Sequence, residues 1–163
     1  MGQLVFVPVS RVVARELGTG HPITEDTPAF SANAALAESF GLTAADGEAA
    51  EFAALTLASI YALATYGERL VLVAELPADP LLDDWEAEAP NGGVRLGALS
   101  QSQVTAFFTD YDDPQTTALL DTAAQAAQGL NVDAAWELPE VSVLLERADL
   151  LWHDVTELEA YFA

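Results

Sequence analysis

The run "FAALTLASIYALATYG" (residues 52–67) and the segment "RLVLVAEL" just after it (69–76) constrain this chain more than any other feature. Residues 48–66 read as one long Ala-rich helix. Its apolar positions Phe52, Leu55, Ile60, Leu63 and Ala64 populate most of the circumference, so several neighbours must cover it. The uncharged run falls short of the ~20 residues that span a bilayer and reads as a buried core helix. The strand that follows is apolar at nearly every position, the pattern of a strand central in its sheet. Pro77 and Pro80 end it.

Other segments fill in around this pair. "LVFVPV" (4–9) is short, β-branched and aromatic, hence a strand, with Pro8 marking an edge position or the strand's exit. A short helix follows, capped by Ser10 and stopped by Gly18 and Gly20. Pro22 and Pro28 punctuate a loop leading to an extended piece over 29–32, after which Asn33 caps a helix closed by Gly41. Residues 77–93 form an expected acidic, mobile loop, with Asn91-Gly92-Gly93 as turn chemistry. "VRLGALS" and "QVTAFFTD" are strands close enough in sequence to pair as a hairpin. Asp113 and Pro114 open a helix that Gly129 stops, with Ala118, Leu119, Thr122 and Ala126 as its narrow apolar stripe. The order predicts an α+β fold: a single domain over 1–163, with a small antiparallel or mixed sheet of about four strands and helices packed mainly on one face.

A chain of 163 residues, 52% hydrophobic, buries enough surface to hold a core without disulfide or metal. It has no cysteine, which excludes disulfides, thiolate metal sites and thiol nucleophiles. Twenty-six Asp and Glu face five Arg and no Lys, a formal net charge of −21. Lysine chemistry is therefore excluded. The scattered arginines (Arg11, Arg15, Arg69, Arg95 and Arg147) make no basic patch for nucleic acid or an anionic membrane. The opening "MGQLVFVPVS" lacks a basic n-region, so no export signal is expected and a cytoplasmic protein is. The charge itself suits solubility, a salt-rich cytoplasm, docking to a basic partner, or mimicry of nucleic acid.

Candidate sites are few. "NGGVRLG" places its glycines before a strand, the wrong order for a phosphate cradle. "DYDDP" (110–114) gathers three carboxylates, yet counting from Asp110 puts Gln115 sixth and Asp121 twelfth, which breaks the calcium-loop pattern. If residues 152–162 are helical, His153 and Glu157 share one face at a spacing that can hold a divalent ion, with His21 as the obvious third ligand. The simpler expectation is a C-terminal helix docked by Leu150, Leu151, Trp152, Val155, Leu158 and Phe162, with His153 and its acidic neighbours solvated and no metal bound. Trp85, among Asp83, Asp84, Glu86 and Glu88, either anchors a basic partner or tucks onto the sheet edge.

The pieces "VFVPVS", "EFAALTLAS" with "RLVLVAELP", and "LLWHDVTELEAYF" resemble a family of small acidic actinobacterial proteins, a domain of unknown function. The Leu-Leu-Trp with Glu157-Leu158 beyond it is the most specific of these. The start departs from the family pattern, having Gly2 and Gln3 where a basic residue commonly follows Met1. The resemblance implies an actinobacterial, cytoplasmic, compact α+β protein, and no activity. The functional expectation is a non-enzymatic acidic interaction domain without cofactor, with a basic protein partner or a second copy of itself. The alternatives are a small metal-dependent or hydrolytic enzyme using His153, and a nucleic-acid mimic that inhibits a basic protein.

Overall fold

The computed structural model describes residues 2–77 and 82–163. Strand β1 (Gly2–Pro8) lies in the middle of a sheet. It pairs with β2 (Thr27–Ser31) on one side and with β3 (Val71–Pro77) on the other, from Gly2 opposite Pro77 to Pro8 opposite Val71. Beyond β2 come β5 (Gly93–Leu96) and the three-residue β4 (Leu82–Asp84). Beyond β3 come β6 (Val104–Asp110) and β7 (Leu150–Asp154). The order is β4-β5-β2-β1-β3-β6-β7, every pairing antiparallel. The α+β class holds, but among the described residues the sheet has seven strands and not about four. Pro8 sits at a strand exit, since β1 is paired on both sides.

Both faces of the sheet carry a core. On one, Phe6, Phe30, Val71, Val73 and Ala106 meet α3 (Gly47–Tyr66). Around it lie α2 (Ala34–Ser39), α4 (Pro114–Ala127), α5 (Val132–Trp136) and α6 (Pro139–Arg147). On the other face, Val5, Val7, Leu72, Ala74 and Phe107 are covered by the short α1 (Arg11–Gly18) and α7 (Leu158–Tyr161). This explains the continuous apolar run of β3: Val71 and Val73 enter one core, Leu72 and Ala74 the other. Helix α1 packs on α7 closely at Gly18, where a Cβ would stand 3.2 Å from the Glu159 backbone.

The expected helix starts are in place. Ser10, Asn33 and Asp113 accept from the backbone N–H of Val13, Leu36 and Thr116, satisfying donors that a helix start leaves open. Gly67 closes α3 at φ 83°. The stripe of α4 is rotated from the expected one: Thr116, Ala123 and Ala127 are buried, while Ala118 and Thr122 are exposed. Helices α5 and α6 were not anticipated at all.

Strands β5 and β6 do not form the expected hairpin. Four strand spacings separate them, about 19 Å at the usual ~4.8 Å, and only residues 97–103 connect them. Eight extended steps reach roughly 26 Å, so the crossing has little slack. Leu99 pins it, fully buried and bridged to Ile23 through two 2.8 Å backbone hydrogen bonds. A one-turn 3-10 helix, Gln101–Gln103, then turns the chain into β6, closed by a capping box between Ser100 and Gln103.

The segment expected as an acidic loop instead carries a short strand and a 3-10 stretch. Residues 78–81 lie outside the described residues, but β4, Trp85 and the 3-10 stretch Glu86–Asn91 are ordered against their neighbours. Ser31 N–H donates to the Gly92 carbonyl at 2.9 Å. Gly92 has φ 77°, and a Cβ there would collide with the Ser31 carbonyl oxygen and press on Leu36. Gly129 shares that φ but has open space around it. Gly129→Ala should therefore cost only the left-handed strain, about 1–2 kcal/mol, and Gly92→Ala clearly more. Urea unfolding of both variants measures the difference, and equal losses would contradict the packed turn.

Candidate functional site

The C-terminal segment differs most from expectation, and the difference decides which side chains face solvent. Residues 150–154 are a strand, each paired with β6, with His153 opposite Phe107 and Trp152 opposite Phe108. Helical spacing put Trp152 in the core and His153 in water. A strand alternates with a period of two, and the outcome is reversed: His153 is buried, and Trp152 is 56% exposed. Asp154 then accepts from Thr156 N–H (2.9 Å) and hydroxyl (2.7 Å), and Asp154 N–H donates to Glu157 Oε2 at 3.1 Å. This capping box starts the turn into α7, whose Leu158, with Phe162 just beyond, is buried as expected.

His153 therefore shares no helix face with Glu157. Its ring stacks on Phe107 (centroids 4.5 Å apart, planes 11°) and lies 4.7 Å from the Tyr161 ring. Nε2 is 2.8 Å from Thr109 Oγ1, which also accepts from the Tyr161 hydroxyl at 3.3 Å. Burial holds its pKa below the ordinary histidine value of 6.5, against the opposing pull of the Glu157 charge. His21 stays in the loop after α1, exposed, with Nδ1 3.1 Å from Thr19 Oγ1. Among the described residues no three His, Asp or Glu side chains gather closely enough to hold a metal ion. The Thr109–His153 pair has the geometry that activates a hydroxyl, but Thr109 is only 4% exposed.

A second cluster was missed. Arg69, 2% exposed, sits just before β3 and meets Asp110 at the end of β6. Its backbone N–H and Nε donate to the two Asp110 oxygens (2.8 and 2.6 Å), and Nη2 donates to the Ala148 carbonyl at 2.9 Å. The one carboxylate of "DYDDP" that does structural ion pairing is thus Asp110. Asp113 caps α4, where the N–H of Thr116 holds its pKa below the usual carboxylate value. The available signal was a lone cation at the head of a core strand, which demands a buried carboxylate. Beside this cluster a groove of about 360 Å3 opens between α3, β6 and the α6–β7 junction.

Trp85 does not present an exposed ring. It is half-buried, 5.5 Å from both Phe30 and Tyr61, with the Arg95 guanidinium 5.7 Å above it. Glu86 is exposed, and the side chains of Asp83 and Asp84 lie outside the described residues. Glu88 is buried and accepts from Asn91 Nδ2 (2.8 Å), which also donates to Asp133 at 3.0 Å. Burial raises the Glu88 pKa, and the nearby Asp133 charge raises it further.

These clusters can be set against known families. A family model described as "Family of unknown function (DUF6912)" matches residues 4–161. The chain belongs to that family. No curated protein and no solved structure matches it. The DUF6912 match runs from β1 to α7, so the Arg69–Asp110 pair, His153 and Trp152 all fall within it.

Two consequences for this DUF6912 chain can be measured. Removing one partner of a buried ion pair costs about 3–5 kcal/mol, so Arg69→Leu should lose stability on that scale in urea unfolding. Adding Asp110→Asn should recover part of the loss, because no bare carboxylate then remains buried. For His153 the folded pKa lies below the unfolded one, so its contribution is present above pH 6.5 and is lost as pH falls below that value. Melting temperature should therefore drop more steeply below pH 6.5 in the native chain than in His153→Phe; parallel profiles would show that the ring carries no such linkage.

Proposed function

We propose that this protein is a non-enzymatic acidic interaction domain that takes a basic partner along the free edge of β7. The observation that carries the reading is the contrast between the sheet's two edges. Strand β4 is three residues long and reads Leu-Asp-Asp, with the charge and shortness that discourage edge pairing. Strand β7 has five residues, reads Leu-Leu-Trp-His-Asp, and holds out a 56% exposed Trp152. An open edge offers backbone donors and acceptors to an added strand, and an aromatic anchor supplies affinity.

Charge selects the occupant. Glu146, Asp149 and Glu157 flank the strand in sequence and Asp154 ends it, with Arg147 as the one neighbouring cation in sequence, within a chain of net charge −21. Such a field speeds the approach of a basic segment and opposes a second copy of the same chain. The hydrolytic alternative keeps one supporting observation, the 2.8 Å approach of Thr109 Oγ1 to His153 Nε2, and requires an opening to that buried hydroxyl.

The test compares the native chain with Trp152→Ser as bait in lysate of the source cells at ~0.1 M and ~1 M salt, where screening lengths are about 10 and 3 Å. The expected result is a basic protein held by the native chain at low salt only and lost by the variant. A partner retained equally by Trp152→Ser would remove β7 from the reading. A native dimer dissociated by the same substitution would replace the basic partner with a second copy.

A further inference from the structure

The groove beside Arg69 has features that the core does not require. Its walls are Phe52, Leu55, Phe108, Leu145 and Leu150. Four of these are half-buried, and Phe52 on the rim is 70% exposed. Arg69 and Ala148 belong to the same lining. The guanidinium that reaches the Ala148 carbonyl through Nη2 therefore ends at the groove, and its Nη1 has no hydrogen-bond partner among the described residues. The result is a mainly apolar trough, its lining completed by Thr56, Ser59 and the exposed Asp149, with an unused pair of N–H donors on an arginine that Asp110 holds in place.

From this arrangement we infer a binding site for a small amphiphile, with a ring- or chain-sized apolar body and one terminal acceptor, a carboxylate or carbonyl, that meets Arg69 Nη1. The cavity volume, about 360 Å3, lies within the range of small-molecule sites. Asp110 already neutralises the Arg69 charge locally. The base therefore works as a hydrogen-bond donor more than as a bare cation, and with Asp149 in the lining a neutral carbonyl suits it at least as well as a carboxylate. Guanidinium planarity fixes the direction of those donors, which a lysine could not do. The site touches β7 only at its first residue, Leu150, and Trp152 is not among its lining residues, so the variants that test the two readings are different.

The experiment titrates 2-naphthoate, 2-naphthamide and 2-methylnaphthalene into isotope-labelled protein and follows the methyl resonances of Leu55 and Leu145. Saturable shifts are expected with the two acceptor-bearing compounds, and about tenfold weaker binding with the hydrocarbon, which forfeits a hydrogen bond to a charged donor. Thr56→Trp, which fills the groove from α3, should abolish the shifts while leaving resonances across the sheet in place. Phe52→Ser, at an exposed position that should not disturb folding, should weaken binding several-fold. Absence of saturable shifts at millimolar probe, equal affinity for 2-methylnaphthalene, or unchanged binding in both variants would each overturn the site.

Discussion

Arg69 is a charge taken out of water at the head of a central strand, and the structure around it is arranged to make that tolerable. Two Asp110 oxygens and the Ala148 carbonyl receive its donors, so one side chain joins the start of β3, the end of β6 and the chain leaving α6. Those are three segments far apart in sequence. A buried ion pair seldom adds much net stability, but a half-satisfied one is severely penalised. The start of β3, the end of β6 and the point at which α6 gives way to β7 are thus held together by one buried side chain. The orientation of His153 and Trp152 is then set by the pairing of β7 with β6.

The remaining charge is handled differently. Five arginines cannot neutralise twenty-six carboxylates, and among the described residues the other two ion pairs, Arg11 with Glu68 and Arg95 with Asp26, are at least partly exposed. Several acids are used instead as acceptors for backbone N–H groups: Asp46 at Thr43, Asp113 at Thr116, Asp154 at Thr156. Each favours the ionised form through a local hydrogen bond and needs no cation. The acidic composition is in this way partly a means of ending and starting turns, and what remains on the surface supplies the field proposed to steer a basic partner.

Local signals in the chain were legible where one residue does one local job. Ser10, Asn33 and Asp113 cap the helices they were expected to cap, and the unbroken apolar run of β3 marked it as central. The stripe of α4 was misphased because alanine and threonine differ too little in hydrophobicity to set a phase in an Ala-rich helix. The closing segment failed for a related reason: Leu-Leu-Trp-His-Asp-Val fits a period of two or of 3.6 equally well, and pairing with β6 decided between them. Non-local facts left no local trace. Nothing in "LGALSQSQV" announces a crossing beneath three strands, and nothing in "DYDDP" says that its first carboxylate belongs to Arg69.

The central place of β1 bears on how such a sheet can be assembled as a chain leaves the ribosome. Its two neighbours, β2 and β3, are the next strands to emerge, and the later ones join farther out: β4 and β5 as a linked pair beyond β2, β6 and then β7 beyond β3. No later strand has to be threaded between two earlier partners already joined. Vectorial synthesis can therefore lay the sheet down from its middle toward both margins. Until β7 emerges, β6 is the bare margin, and Phe107 lacks the imidazole that stacks on it. The strand that finishes the sheet is also the one that leaves its own outer edge open.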